Sequence, residues 1–147
     1  MGVYYPPSGF HFKVEVIGFL SASDIRFTEV SGLSVELGTE EIPEGGENRF
    51  IQKYPTRTKY ADLVLKRGLL VSSEVITWVQ QCIEDFNIEP KNIDVKLLSE
   101  THDPLITWHV VNAYPTKWSI SDLNSMNNAV VIETLQFFYQ YFTTDTS

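Results

Sequence analysis

Residues 10–20 read Phe10-His11-Phe12-Lys13-Val14-Glu15-Val16-Ile17-Gly18-Phe19-Leu20. Phe10, Phe12, Val14 and Val16 fall on one side of an extended chain, and His11, Lys13 and Glu15 on the other. This period-two alternation is that of a strand with one face buried and one solvated. Outward from it, 24–28 and 33–37 predict two short extended pieces with Gly32 as the bend between them. Residues 60–70 alternate again through Leu63 and Leu65, with Gly68 marking a strand end or bulge. Residues 93–98, 105–114 and 129–142 follow, the last rich in β-branched and aromatic side chains.

The period changes once. Over 72–86, Val75, Val79, Cys82, Ile83 and Phe86 recur at three- and four-residue intervals, Ser72 or Ser73 is available as N-cap, and Glu74 sits in the first turn. The pattern expected is therefore mainly β, with one flanking α-helix over about residues 73–86. The outward stripe of that helix carries Gln80, Gln81, Glu84 and Asp85.

A chain of 147 residues is near the usual size of one domain, so 1–147 is read as a single unit, with 143–147 a polar tail expected to fray. Hydrophobic residues at 43% and aromatics at 13% exclude a disordered chain. With 11 Lys plus Arg against 19 Asp plus Glu, the net charge of −8 repels nucleic-acid phosphates and anionic membranes and favours basic partners. The lone Cys82 cannot make an internal disulfide or a Cys-rich zinc site. The N-terminal residues lack the pattern of a secretion signal or a myristoylation site. The longest charge-free stretch, 104–116, is well short of the roughly 18 apolar residues that span a bilayer.

The segment 38–56 is the anomaly, because loops beyond about 12–15 residues without structure of their own are uncommon unless they serve a purpose. It combines Pro43 and the turn pair Gly45-Gly46 with Ile42, Phe50, Ile51 and Tyr54, apolar residues that a purely solvated loop has no reason to keep. Its charges are sorted: Glu36, Glu40, Glu41, Glu44 and Glu47 come first, then Arg49, Lys53, Arg57, Lys59, Lys66 and Arg67, interrupted only by Asp62. Unlike patches on one chain suit head-to-tail docking between copies. The alternative is a solvated hairpin whose charges pair locally.

Residues for catalysis are thin. His11, His102 and His109 lie in separate segments without ligand spacing, and His102-Asp103-Pro104 reads as a turn. Cys82 lies on the apolar helix stripe, as a buried inert thiol does. No nucleophile elbow, Walker loop or dinucleotide fingerprint is present. Trp78, Trp108 and Trp118 are read as core aromatics. No catalytic residue, metal site or cofactor is expected, and the chain is read as a non-enzyme.

Several short strings, in order, resemble the tail-tube family of contractile-tailed phages and phage-like contractile injection systems. They are Val30-Ser31-Gly32-Leu33, Glu44-Gly45-Gly46 with Asn48, Leu65-Lys66-Arg67-Gly68, Trp78 on the helix, Trp108, Asn112-Ala113-Tyr114-Pro115 with Lys117, and Ile132-Glu133. Together they span residues 10–142. The resemblance implies a β-barrel or sandwich of antiparallel strands with one flanking α-helix, and a structural role: six copies close into a ring, and rings stack head-to-tail into the hollow inner tube inside a contractile sheath. Its partners would be further copies of itself, the sheath protein, baseplate or tube-initiator and terminal cap proteins, and cargo in the lumen, with no direct membrane anchoring. The chain would be made in the bacterial cytoplasm and end in a phage tail or injection particle. The resemblance also implies that the long extended loop, 38–56, reaches the neighbouring ring.

A compact chain of this length has a radius of gyration of about 15 Å, an equivalent sphere about 38 Å across, and six touching spheres enclose a hole of about 40 Å. Stacking is expected to bury Ile42, Phe50, Ile51 and Tyr54 and to set the acidic block, Glu44 and Glu47 included, against a complementary basic surface at Lys66 and Arg67. Glu84 and Asp85 are expected to face the sheath. The alternatives are a tube-initiator ring at the baseplate or a monomeric ligand-binding β-barrel.

Overall fold

The computed structural model describes residues 11–19, 27–42, 52–70, 73–126 and 130–146. Nine strands and one helix follow in the order β1 (His11–Val16), β2 (Glu29–Ser31), β3 (Val35–Ile42), β4 (Gln52–Tyr60), β5 (Leu63–Gly68), α1 (Glu74–Ile83), β6 (Lys91–Leu98), β7 (Pro104–Ile120), β8 (Ile132–Phe138) and β9 (Tyr141–Thr146). The main sheet runs β1-β6-β7-β8-β5-β2, with β9 also on β7, and β3-β4 stands as a separate pair. Every pairing is antiparallel. Among the described residues the sheets do not close into a barrel.

The period-two patterns become burial patterns. Val14 and Val16 of β1, Leu63 and Leu65 of β5, Ile93 and Val95 of β6, and Leu135 and Phe137 of β8 all face one buried cluster, which takes in Val110 and Ala113 of β7. The helix adds one stripe to it, Val75, Ile76, Trp78, Val79 and Cys82. Ser73 is the N-cap, in extended conformation, with its Oγ accepting from the Ile76 N–H at 3.3 Å. Trp78 stacks on Phe137 with centroids 5.5 Å apart, and its Nε1 donates to the Glu89 carbonyl at 2.8 Å, which holds the helix on the sheet.

The long strand β7 organises everything else. Its first half pairs β6 on one edge and β9 on the other; its second half pairs β8. The bend between halves lies at Asn112, whose backbone is left-handed (φ 53°) and whose Nδ2 donates to Gln140 Oε1 at 2.8 Å. Asn tolerates this conformation better than most residues, and Ala113 beside it is fully buried, so the Asn112-Ala113 pair is a corner in the sheet.

Three expectations are corrected. The segment 38–56 is not an unpaired loop: β3 and β4 pair from Val35↔Tyr60 to Ile42↔Gln52, with a bulge where Leu37↔Thr58 gives way to Thr39↔Pro55. Gly38 lies at that bulge, where a Cβ would crowd Thr56 Oγ1 and the Arg57 carbonyl. The run 129–142 is interrupted at Tyr139–Gln140, where the chain follows β7 around its corner. The tail expected to fray from Thr143 is strand through Thr146, pairing with β7 down to Ile106.

Candidate assembly surfaces

Four strands, β1-β6-β7-β9, make one half of the sheet, and the residues between their core positions collect on its outer face. Two cross-strand rows result. Lys13 stands opposite Lys96, Lys96 opposite Thr107, and Thr107 opposite Asp145; Glu15 stands opposite Asp94, Asp94 opposite His109, and His109 opposite Thr143. Sequence alternation had brought out Lys13 and Glu15; strand order aligns with them Asp94, Lys96, Thr107, His109, Thr143 and Asp145.

These groups neutralise one another laterally. Lys13 Nζ lies 2.7 Å from Glu15 Oε1 and Lys96 Nζ 3.4 Å from Glu15 Oε2. The Lys13 hydrogen bond holds the Glu15 carboxyl below its ordinary pKa; partial burial opposes this and Lys96 reinforces it. His109 Nδ1 lies 2.9 Å from Asp94 Oδ1, and its Nε2 3.9 Å from Asp145 Oδ2. The face is thus polar, paired and near charge balance. Both outer strands of this half, β1 and β9, have one edge without a strand partner among the described residues.

The second surface is the β3-β4 ribbon. Val35, Leu37 and Tyr54 are about half exposed, and Glu36, Glu40 and Glu41 on β3 and Lys53, Arg57 and Lys59 on β4 are all exposed. Of these charges, Lys53 and Glu41 approach to 3.7 Å. Of the residues expected in the stacking contact, Glu40, Glu41 and Tyr54 lie on this ribbon, and Ile42 is its last β3 residue. Glu44, Gly45, Gly46, Glu47, Asn48, Phe50 and Ile51 lie outside the described residues.

The basic surface proposed at Lys66 and Arg67 does not hold as a pair. Lys66 is partly exposed and reaches Glu29 at 4.0 Å. Arg67 is buried: its Nε donates to Glu133 Oε2 at 2.8 Å, its Nη2 to the Ser73 hydroxyl at 3.0 Å, and its guanidinium lies 4.7 Å over the Phe27 ring. Neighbours on a strand point to opposite faces, so the two cannot share a surface. Trp118, donating to Glu133 Oε1 at 2.9 Å, belongs to the same knot. Exposed basic residues recur along β4, at Lys53, Arg57 and Lys59.

Glu84 and Asp85 are exposed just beyond the helix, beside Phe86, which is 84% exposed with a left-handed backbone (φ 52°). Trp78 and Cys82 are core, as expected. The rings of His11 and His102 stack at 5.1 Å, a pairing their separation in sequence hid. Among the described residues no cluster of three or more His, Cys, Asp or Glu could hold a metal ion, and no helix is long and apolar enough to cross a membrane.

Comparison with solved structures gives the fold a context. The chain is similar to one in the cryo-EM structure of the anti-feeding prophage baseplate, solved with sixfold symmetrisation, at 27% identity and a TM-score of 0.85 over 99% of this chain and 98% of that one. It is also similar to a chain of the sheath-tube complex of an extracellular contractile injection system, PVC, in its extended state, at 24% identity and a TM-score of 0.82 over 99% and 95%. Hcp1 from Flavobacterium johnsoniae shares the fold at 18% identity and a TM-score of 0.59 over 92% and 95%. No match was found among curated protein sequences. The model of the T4-like virus tail tube protein gp19 family matches residues 8–143, nearly the whole length; the chain belongs to this family and is a structural protein of the phage-tail and contractile-injection kind.

Proposed function

We propose that six copies of this chain close into a ring and that rings stack into the hollow inner tube of a contractile particle. The observation that carries this reading is the half-sheet β1-β6-β7-β9. It has an even number of antiparallel strands, so rotation about a ring axis brings β9 of one copy against β1 of the next in antiparallel sense, and the bare edges are satisfied by closure. Its polar face then lines the channel, with charges already paired laterally so that cargo finds few free charges to bind. The sixfold symmetrisation of the similar baseplate structure supports the ring count.

The purpose is association rather than reaction. The β3-β4 ribbon, with residues 43–51 that join its strands, reaches the next ring, and Glu84 and Asp85 lie on the outer wall toward the sheath. Similar chains in sheath-tube, cap and terminator structures support those partners. Electron microscopy of the purified protein tests the reading: hollow rods or rings are expected, and solitary particles at every concentration would refute it. Reversing Glu44 and Glu47 to Lys tests the stacking contact; tubes should fail to elongate while the subunit stays folded.

A baseplate chain among the similar structures favours a second role, the ring that starts the tube. Copy number in the purified particle separates the two, since a starter contributes one or two rings and a main tube protein many.

A further inference from the structure

Strands β7 and β8 pair antiparallel, yet eleven residues, 121–131, join them where hairpin connections usually take about two to five. The connection is fastened to the sheet at its base. The Ser121 N–H donates to the Ile132 carbonyl at 2.9 Å, the Ile132 N–H to the Ser121 hydroxyl at 2.9 Å, and the Leu69 N–H to the Val131 carbonyl at 3.0 Å. Beyond that base it holds Leu123, Met126 and Val130 in solvent, 77%, 92% and 72% exposed, beside the partly exposed Leu69 and Ile120. Val130 lies over Gly68, where a Cβ would meet its Cγ1 at 3.7 Å. Large apolar side chains collected at one end of a sheet mark a contact surface.

The register shows which end this is. Ile132 stands opposite Gly68 and Ile120 opposite Glu133, so the loop caps the Gly68 end of β5. The β3-β4 ribbon joins the sheet at the other end, where Tyr60 of β4 leads through Ala61 and Asp62 into Leu63 of β5. The two features are separated by the length of β5, about 17 Å. We propose that this loop receives the β3-β4 ribbon of a copy in the next ring. The proposal rests on the stacking reading above and names the surface that the ribbon meets. A head-to-tail contact needs two unlike patches on one chain, and these two lie at opposite ends of the same strand. A lone two-stranded ribbon is marginal in water, and Val35, Leu37 and Tyr54 of this one are themselves about half exposed, so both surfaces gain from mutual cover. Their charges also suit: Asp122 is the one charge of 121–131, and β4 carries Lys53, Arg57 and Lys59 and no acid. Ring closure through the β1 and β9 edges engages the other half of the sheet and leaves this loop for a different contact.

Two measurements test it. Leu123→Ser, Met126→Ser and Val130→Ser together alter side chains that a single copy holds in solvent, so the variant should keep the wild-type urea midpoint and still form rings. The protein concentration needed for tube growth should rise about tenfold or more. Independently, Tyr54→Cys copies mixed with Met126→Cys copies, polymerised and treated with a flexible bis-maleimide, should give dimers containing one copy of each kind, and neither population alone should. The native Cys82 is buried and stays out of the reaction. Tubes from the serine variant at the wild-type concentration, or mixed tubes without the cross-link, overturn the inference and leave the stacking reading in place. Loss of rings along with tubes would put the patch between neighbours in one ring, and intact tubes that no longer take up sheath would put it on the outer wall; either overturns it. Wild-type protein that forms rings but never tubes overturns the stacking reading itself.

Discussion

Arg67 and Glu133 stand opposite each other in register on β5 and β8, with Nε 2.8 Å from Oε2 and both side chains sealed from solvent. Glu133 also accepts from Trp118, and Arg67 donates to Ser73, the residue that caps α1. The knot ties β5, β8 and the second half of β7 to the start of the helix. Breaking a buried pair from one side leaves an uncompensated charge, at a cost of about 3–5 kcal/mol, whereas replacing both partners by apolar groups can be close to neutral. Glu133→Leu should therefore lower the urea midpoint sharply, and Arg67→Met with Glu133→Leu should recover most of it. A double variant as unstable as the single one would show that the hydrogen bonds to Trp118 and Ser73, not the charge pair, are what matters.

The strand pattern was legible wherever one face is buried. In β1, β5 and β8 the alternation of apolar side chains translates directly into alternating burial. The same rule, applied strictly, places Arg67 in phase with Leu63 and Leu65, and Glu133 in phase with Leu135 and Phe137. Reading Lys66-Arg67 as a local basic patch overrode that phase. The β3-β4 ribbon was hidden for the opposite reason: with both faces in solvent, nothing imposes a period of two. At Tyr139–Gln140 the chain bends without Gly, Pro or Asn, because the corner is set by Asn112 across the pair. The polar face of β1, β6, β7 and β9 depends on strand order, which links residues too far apart in sequence for any local pattern to align.

Gly32 has a left-handed backbone (φ 91°), and a Cβ there would overlap the Asp62 carbonyl oxygen. Its own carbonyl accepts from the Tyr139 hydroxyl at 3.2 Å. Gly32→Ala should destabilise the fold by about 2 kcal/mol or more, combining the conformational penalty with the displacement of the Asp62 peptide. Chemical denaturation checks this, and a change below about 0.5 kcal/mol, the range of ordinary surface substitutions, would contradict it.

Tyr139 is almost fully buried, and burial, aided by the nearby Asp62 and Tyr60, pushes its phenol up to about 12 from an ordinary 10.0. The unfolded chain then loses this proton first as pH rises, so the associated stability is intact below 10 and declines between 10 and about 12. Tyr139→Phe should flatten that alkaline decline in thermal melts while losing the hydrogen bond to Gly32. An alkaline limb unchanged by the substitution would assign the decline to other groups.

Glu15 sets the sign at the acid end. Its folded pKa is depressed below 4.5 by Lys13, with Lys96 assisting, so its contribution is present above the unfolded value and fades as pH falls through the folded one. Glu15→Gln should lower stability at neutral pH and narrow the gap to wild type as the solution is acidified. Parallel pH profiles for the two proteins would remove Glu15 as a source of acid sensitivity.

On the proposed reading, in which Glu84 and Asp85 face the sheath, they and the exposed Phe86 would offer it a mixed contact, acidic with one apolar anchor. Exposed ion pairs contribute about 0–1 kcal/mol each and are screened by salt, so a wall held mainly by such charges binds reversibly and lets a contracting sheath slide free. Binding of a basic sheath segment to preformed tubes should weaken as salt rises, and Glu84→Lys with Asp85→Lys should weaken it further while tubes still form. Phe86→Ser separates the two components: if the anchor matters, binding falls but its salt dependence remains. Sheath assembly that ignores both salt and charge reversal would place the contact elsewhere on the tube.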